Sequence, residues 1–129
     1  PILAIAKKLE DNNSKVIMNA FAKVYKAEIV NNDKLIILEK LEEDSNIEDL
    51  YIELQNYLND QSLSIEYVSY LDTDEIEISN KLSKFINDLE DIIAGYNYLG
   101  IKRPDIKYDN IGYSKDGKLK AFDIDNKRY

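Results

Sequence analysis

The side chains best able to do chemistry crowd into the last quarter of the chain. Asp105, Lys107 and Asn110 stand at D-x-K-x-x-N spacing, and Asp123 and Asp125 follow thirteen and fifteen residues after Asn110. The 129 residues include no cysteine and no histidine. That excludes disulfides, thiol nucleophiles, zinc sites built from Cys or His, and every imidazole base. Carboxylate, amide, lysine and tyrosine chemistry is left. Magnesium, which prefers oxygen ligands, is the natural metal for such a set.

These residues need elements to position them. Pro1 to Glu10 reads as a short helix with Ile2, Leu3, Ile5, Ala6 and Leu9 on one face, broken by Asp11-Asn12-Asn13-Ser14. Val16 to Phe21 is ambiguous. Residues 22–30 and 35–38 carry β-branched and aromatic side chains on either side of Asn31-Asn32-Asp33, which predicts an antiparallel hairpin. A helix capped by Ser45 or Asn46 is expected to run to about Leu58, with Ile47, Leu50, Tyr51, Leu54 and Leu58 at helical spacing. Residues 61–71 fit strand and helix equally. The longest apolar stripe, from Ile78 through Phe85 and Leu89 to Tyr96, predicts a helix over about 74–98, closed by Gly100. Beyond it, Pro104 keeps residues 101–110 from forming a regular helix. Ile111–Tyr113 and Leu119–Ile124 read as strands joined by a turn at Asp116-Gly117. The expected class is α+β, in a single domain over residues 1–129.

Hydrophobic residues make up 44% of the chain and charged ones 33%, the composition of a folded domain. No apolar run approaches the roughly 18–20 residues that span a bilayer. The net charge is −8, and residues 41–100 hold fifteen Asp/Glu against two Lys/Arg. Such a surface is poorly suited to direct nucleic-acid binding, which needs cations to displace phosphate counterions.

The run from Asp105 to Asp123 resembles the protein-kinase-like superfamily. Its catalytic loop reads H-R-D-x-K-x-x-N, followed by a hairpin ending in the metal-binding aspartate of D-F-G. Asp105, Lys107 and Asn110 match that loop, and Asp123 stands at the family interval. The resemblance implies a minimal kinase-like fold of one β-hairpin, two or three helices, the catalytic-type loop and a second, C-terminal hairpin. It implies that Asp105 accepts the substrate hydroxyl proton and that Lys107 neutralises the transferring phosphoryl. It also implies magnesium and ATP as cofactors, with Asn110, Asp123 and Asp125 as metal ligands. Glu39 and Leu41, at the hinge-like end of the first hairpin, would meet the nucleotide. The Asp-x-Asp ending is closer to the small-molecule kinases of the superfamily than to Asp-Phe-Gly. The stretch from Ala22 to Glu42 is similar to small kinase-like proteins of bacteriophages, which implies a phage source and the host cytoplasm as location.

The chain also departs from the pattern. Arg103 and Pro104 replace the family's His and Arg, and no G-x-G-x-x-G occurs. The strand lysine, the glycine-rich loop and an activation segment have no counterpart; Glu10 stands where the helix glutamate would belong. Since phosphoryl transfer depends on positioning and charge stabilisation, the expectation is a degenerate kinase-like protein that binds a protein partner rather than an efficient phosphotransferase. The acidic middle allows one alternative, an inhibitor that mimics nucleic acid and blocks a DNA- or RNA-binding enzyme. The plainer account of those carboxylates is that they solvate the outer faces of two amphipathic helices. Plain accounts likewise cover the ten tyrosines as the rim of a core and the lysines of the last hairpin as edge protection.

Overall fold

A computed structural model describes residues 2–10, 12–74 and 76–122. Helix α1 (Ile2–Glu10) is followed by α2 (Lys15–Ala20), which resolves the ambiguous stretch. The Ser14 hydroxyl caps α2 by accepting the Ile17 N–H, and Ile17 and Ala20 face the core.

Strands β1 (Val24–Val30) and β2 (Asp33–Leu38) form the first hairpin, with Ala27 opposite Ile36 and Val30 opposite Asp33. Asn31 and Asn32 both have positive φ, 52° and 69°. Two left-handed residues are what a two-residue turn needs to match strand twist, and Asn tolerates that region better than most side chains. Val24 and Ala27 bury one face of the hairpin against α1, whose Glu10 Oε2 accepts the Ala27 N–H at 3.0 Å.

Helix α3 (Ser45–Asp60) starts one residue before the expected range because Asp44 is its cap, accepting the Asn46 N–H at 2.9 Å. Residues 61–71, equivocal in sequence, contain a 3-10 helix at Ile65–Tyr70. Helix α4 (Asn80–Tyr98) begins later than its apolar stripe predicts. Ser79 takes the cap, accepting the Leu82 N–H at 3.1 Å, while Ile76 and Ile78 pack half-buried without helical backbone. Gly100 ends the helix region with φ 84°, as expected of a residue past the C-cap.

Strands β3 (Ile111–Tyr113) and β4 (Leu119–Ala121) form the second hairpin, and Gly117, at φ 82°, makes its turn. The predicted continuation of β4 to Ile124 stops at Ala121 among the described residues, and positions 123 and 124 lie outside them. The fold is thus α+β with two small antiparallel hairpins, as the sequence predicts, and α2 adds a fourth α-helix.

The second hairpin is the hub. Ala22 N donates to Ala121 O at 2.8 Å, a parallel bridge from the end of α2. Glu42 and Tyr113 exchange two backbone hydrogen bonds of 2.8 Å, which ties the connection after β2 to β3. Beneath lie Leu54, Leu58, Leu82, Phe85, Leu89 and Ile92, all but excluded from water. Phe21 meets Tyr96 edge-to-face at 5.0 Å. Helix α2 reaches α4 at Gly95, where a Cβ would lie 2.2 Å from that of Ala20. No helix among the described residues is long and apolar enough to cross a membrane.

Candidate functional site

The loop from Arg103 to Asn110 follows α4 and is anchored by two buried residues, Pro104 and Ile106. Ile106 is buried between a half-buried Asp105 and an exposed Lys107. Helix α3 holds the loop from outside. The Tyr51 hydroxyl donates to Ile106 O at 2.9 Å, and its ring meets Tyr108 edge-on at 6.0 Å. Burial raises the Tyr51 phenol above its ordinary value, and the Asp105 and Asp109 carboxylates add to the effect. The phenol therefore keeps the proton it donates.

Asn110 closes the loop. Its Nδ2 donates to Asp105 O at 2.8 Å, and its Oδ1 accepts the Lys107 N–H at 3.0 Å. Its own main chain completes a single 3-10 turn, Asn110 N donating to Lys107 O at 3.2 Å. One side chain thus fixes the backbone at both residues matched to the catalytic aspartate and lysine. The Asn110 carbonyl then accepts the Phe122 N–H at 3.1 Å, joining the loop to the end of β4.

Of the residues singled out in sequence, Asp105 and Lys107 are joined to the Asn110 side chain through their main-chain atoms. Asp123 and Asp125 lie outside the described residues. Glu39 and Leu41 sit on the connection after β2. Leu41 is buried against β3, where a Cβ on Gly112 would lie 2.8 Å from its own, and Glu39 accepts the Lys23 N–H at 3.1 Å. Glu10, the position compared with the family's helix glutamate, serves β1 through its bond to Ala27.

The Asn110 Oδ1 accepts the Lys107 N–H and keeps a second lone pair, while the Asp105 oxygen held against its Nδ2 is the main-chain carbonyl. Among the described residues no three carboxylates gather as a metal site, and the two aspartates that would complete one lie beyond Phe122.

Sequence reasoning passed over Asp88. It sits in the buried stripe of α4 and accepts the Leu119 N–H at 3.0 Å, Lys84 Nζ at 3.0 Å and Lys118 Nζ at 3.2 Å. Lys118 also reaches Asp91 at 2.7 Å, and Lys84 donates to Gly117 O at 2.6 Å. Burial alone would lower the Lys118 value; the hydrogen bonds and charges of Asp91 and Asp88 outweigh it, and the net shift is upward. This cluster clamps the second hairpin to α4. The available signal was an aspartate one residue before Leu89 on a helix face otherwise apolar. Most other acidic residues of the middle segment, such as Glu48, Asp49, Glu53 and Asp60, are exposed on α3, as solvated helix faces would be.

Compared with known protein families, with curated proteins and with solved structures, the chain matches none.

Proposed function

We propose that this chain is a degenerate kinase-like protein that acts by binding a protein partner and keeps a residual site for magnesium and a nucleotide. The observation that carries the reading is the Asn110 bridge, which holds the main chain at Asp105 and Lys107 in one turn and meets the residue preceding Asp123. Phosphoryl chemistry needs its carboxylate, lysine and amide preorganised, and the bridge supplies the main-chain part of that by fixing the backbone at Asp105 and Lys107. In this reading Asp105 faces the hydroxyl proton, Lys107 faces phosphate charge, and Asn110 with Asp123 and Asp125 would hold magnesium, which supplies charge neutralisation of the phosphates. Glu39 and Leu41 would border the nucleotide. Arg103 and Pro104, in place of the family's His and Arg, are why turnover is expected to be slight.

A partner role is supported by the first hairpin. Val30, Leu35 and Ile37 share its outer face by register and are 41%, 38% and 45% exposed. On that face they stand opposite Asp33, Glu28 and Lys26, so a partner seated there would meet exposed apolar side chains and charged ones together.

The test is thermal melting with and without ATP and magnesium. A ligand that binds only the folded chain stabilises it, by about 1.4 kcal/mol at ten times Kd, or a few degrees. The expected result is a rise that shrinks in Asp123→Asn. No rise at millimolar ligand, with an unchanged ligand response in that variant, would overturn the nucleotide part of the reading.

A further inference from the structure

A cavity of about 210 Å³ opens between the end of α1, α2 and the start of β1. None of its residues belongs to the loop 103–110. Ile17, Phe21 and Val24, all buried, make an apolar floor, and Met18, 56% exposed, stands at the mouth. Cavities of about 150 Å³ with apolar walls already accept a benzene ring, so this one has room for a ring and a small substituent.

The wall also carries Glu10, Asn12, Asn13 and Lys23, and among its polar residues Lys120 and Glu39 form an ion pair. Lys120 Nζ and Glu39 Oε1 lie 4.0 Å apart, with side chains only 16% and 21% exposed. That separation is too long for a hydrogen bond. A single atom that both accepts and donates would bridge it, accepting from the ammonium and donating to the carboxylate. The two charges offset each other. An anionic head would therefore face Glu39 and a cationic head would face Lys120, each leaving charge poorly compensated in a half-dry site. A neutral hydroxyl satisfies both groups.

We infer that this cavity is a binding site for a small neutral aromatic alcohol, its ring on the Ile17–Phe21–Val24 floor and its hydroxyl between Lys120 and Glu39. The ligand class is that of phenol and benzyl alcohol. The site shares Glu39 with the proposed nucleotide border and has no residue of the loop 103–110.

Met18 is the chain's one methionine, so a ¹³C-methyl methionine label reports on the cavity mouth, with assignment by Met18→Leu. Phenol and toluene are titrated into the intact chain. Phenol is expected to move the Met18 methyl resonance saturably, with Kd on the order of 1 mM for so small a ligand. Toluene, which fills the floor but cannot bridge the pair, is expected to bind about fivefold more weakly, the ratio one hydrogen bond commands. Lys120→Met should bring phenol down to the toluene value. A Met18 signal that phenol leaves unmoved overturns the inference, as does equal affinity for phenol and toluene in the wild-type chain. That second comparison needs no variant, so it decides the matter even if Lys120→Met does not fold.

Discussion

Asp88 Oδ2 accepts the main-chain N–H of Leu119, thirty-one residues away, in a buried contact 3.0 Å long. This carboxylate thus serves as the edge partner of β4 while drawing in the ammonium groups of Lys84 and Lys118. A buried charge removed from such a cluster leaves its partners uncompensated, which costs more than the cluster contributed while intact. Asp88→Ala is expected to destabilise the chain by about 3 kcal/mol, at the lower end of what breaking a buried pair costs. Urea unfolding measures it. A loss below about 1 kcal/mol, the scale of an exposed ion pair, would mean the cluster is screened by solvent.

Asn110 does for the candidate loop what Asp88 does for the hairpin. Replacing it by alanine frees Asp105 O and the Lys107 N–H together. The expected cost is about 1–2 kcal/mol, from two neutral hydrogen bonds, one part-buried and one exposed. The more specific consequence is local. Amide exchange at Lys107 should quicken in Asn110→Ala relative to exchange in α4. Equal quickening everywhere would show that the side chain supports the whole fold and not the loop.

These two residues also show what a single sequence discloses and what it withholds. Asn31-Asn32, Gly100 and Gly117 were legible because positive φ restricts the choice of residue, and the structure places all four in that region. The stripe from Leu82 to Tyr96 was legible because burial repeats with the helical period. Pro104 marked residues 101–110 as a loop, and Asn110 is seen to bridge the main chain at Asp105 and Lys107. Asp88 was not legible as an anchor, because its partners Lys118 and Leu119 arrive through tertiary folding from another element. The same holds for Tyr51, which reads as one more member of an apolar stripe until its hydroxyl is seen on Ile106 O. The late start of α4 has a local cause instead. Ser79 offers a cap to the Leu82 N–H, and cap chemistry set the boundary where periodicity pointed earlier.

Gly95 tests two opposed effects of similar size. In a helix interior, Gly→Ala favours the helix by about 1 kcal/mol. At Gly95 the added Cβ would lie 2.2 Å from Ala20 Cβ and 3.0 Å from the Phe21 ring, so α2 and α4 must part. Overpacking of a close-packed contact costs about 1–3 kcal/mol, and here the obstruction is a Cβ fixed to backbone, which cannot swing away. The clash is expected to win. Gly95→Ala should therefore lower stability in urea, and a stabilised variant would mean that the α2–α4 contact is looser than its geometry indicates.

Three groups contribute to a loss of stability at alkaline pH. Burial raises the phenols of Tyr51 and Tyr113, with Asp105 and Asp109 adding to the first and Asp44 and Asp88 to the second. Lys118 is also raised, since its bonds and charges with Asp91 and Asp88 exceed the burial that opposes them. In each case the folded chain holds its proton more tightly than the unfolded one. Below the ordinary values of 10.0 and 10.5 both states are protonated, and the full contribution to stability is present. As pH climbs past those values the unfolded chain releases protons first, so stability falls until the folded groups have titrated as well. Unfolding free energy measured from pH 8 upward is therefore expected to hold level and then decline above about pH 10. Tyr51→Phe separates the loop phenol from the rest. It should cost about 1 kcal/mol at neutral pH, through the lost bond to Ile106 O, and its alkaline decline should be shallower than that of the wild type. An identical decline in both proteins would assign the loss to Tyr113 and Lys118, and would place the Tyr51 hydroxyl in water instead of against the loop.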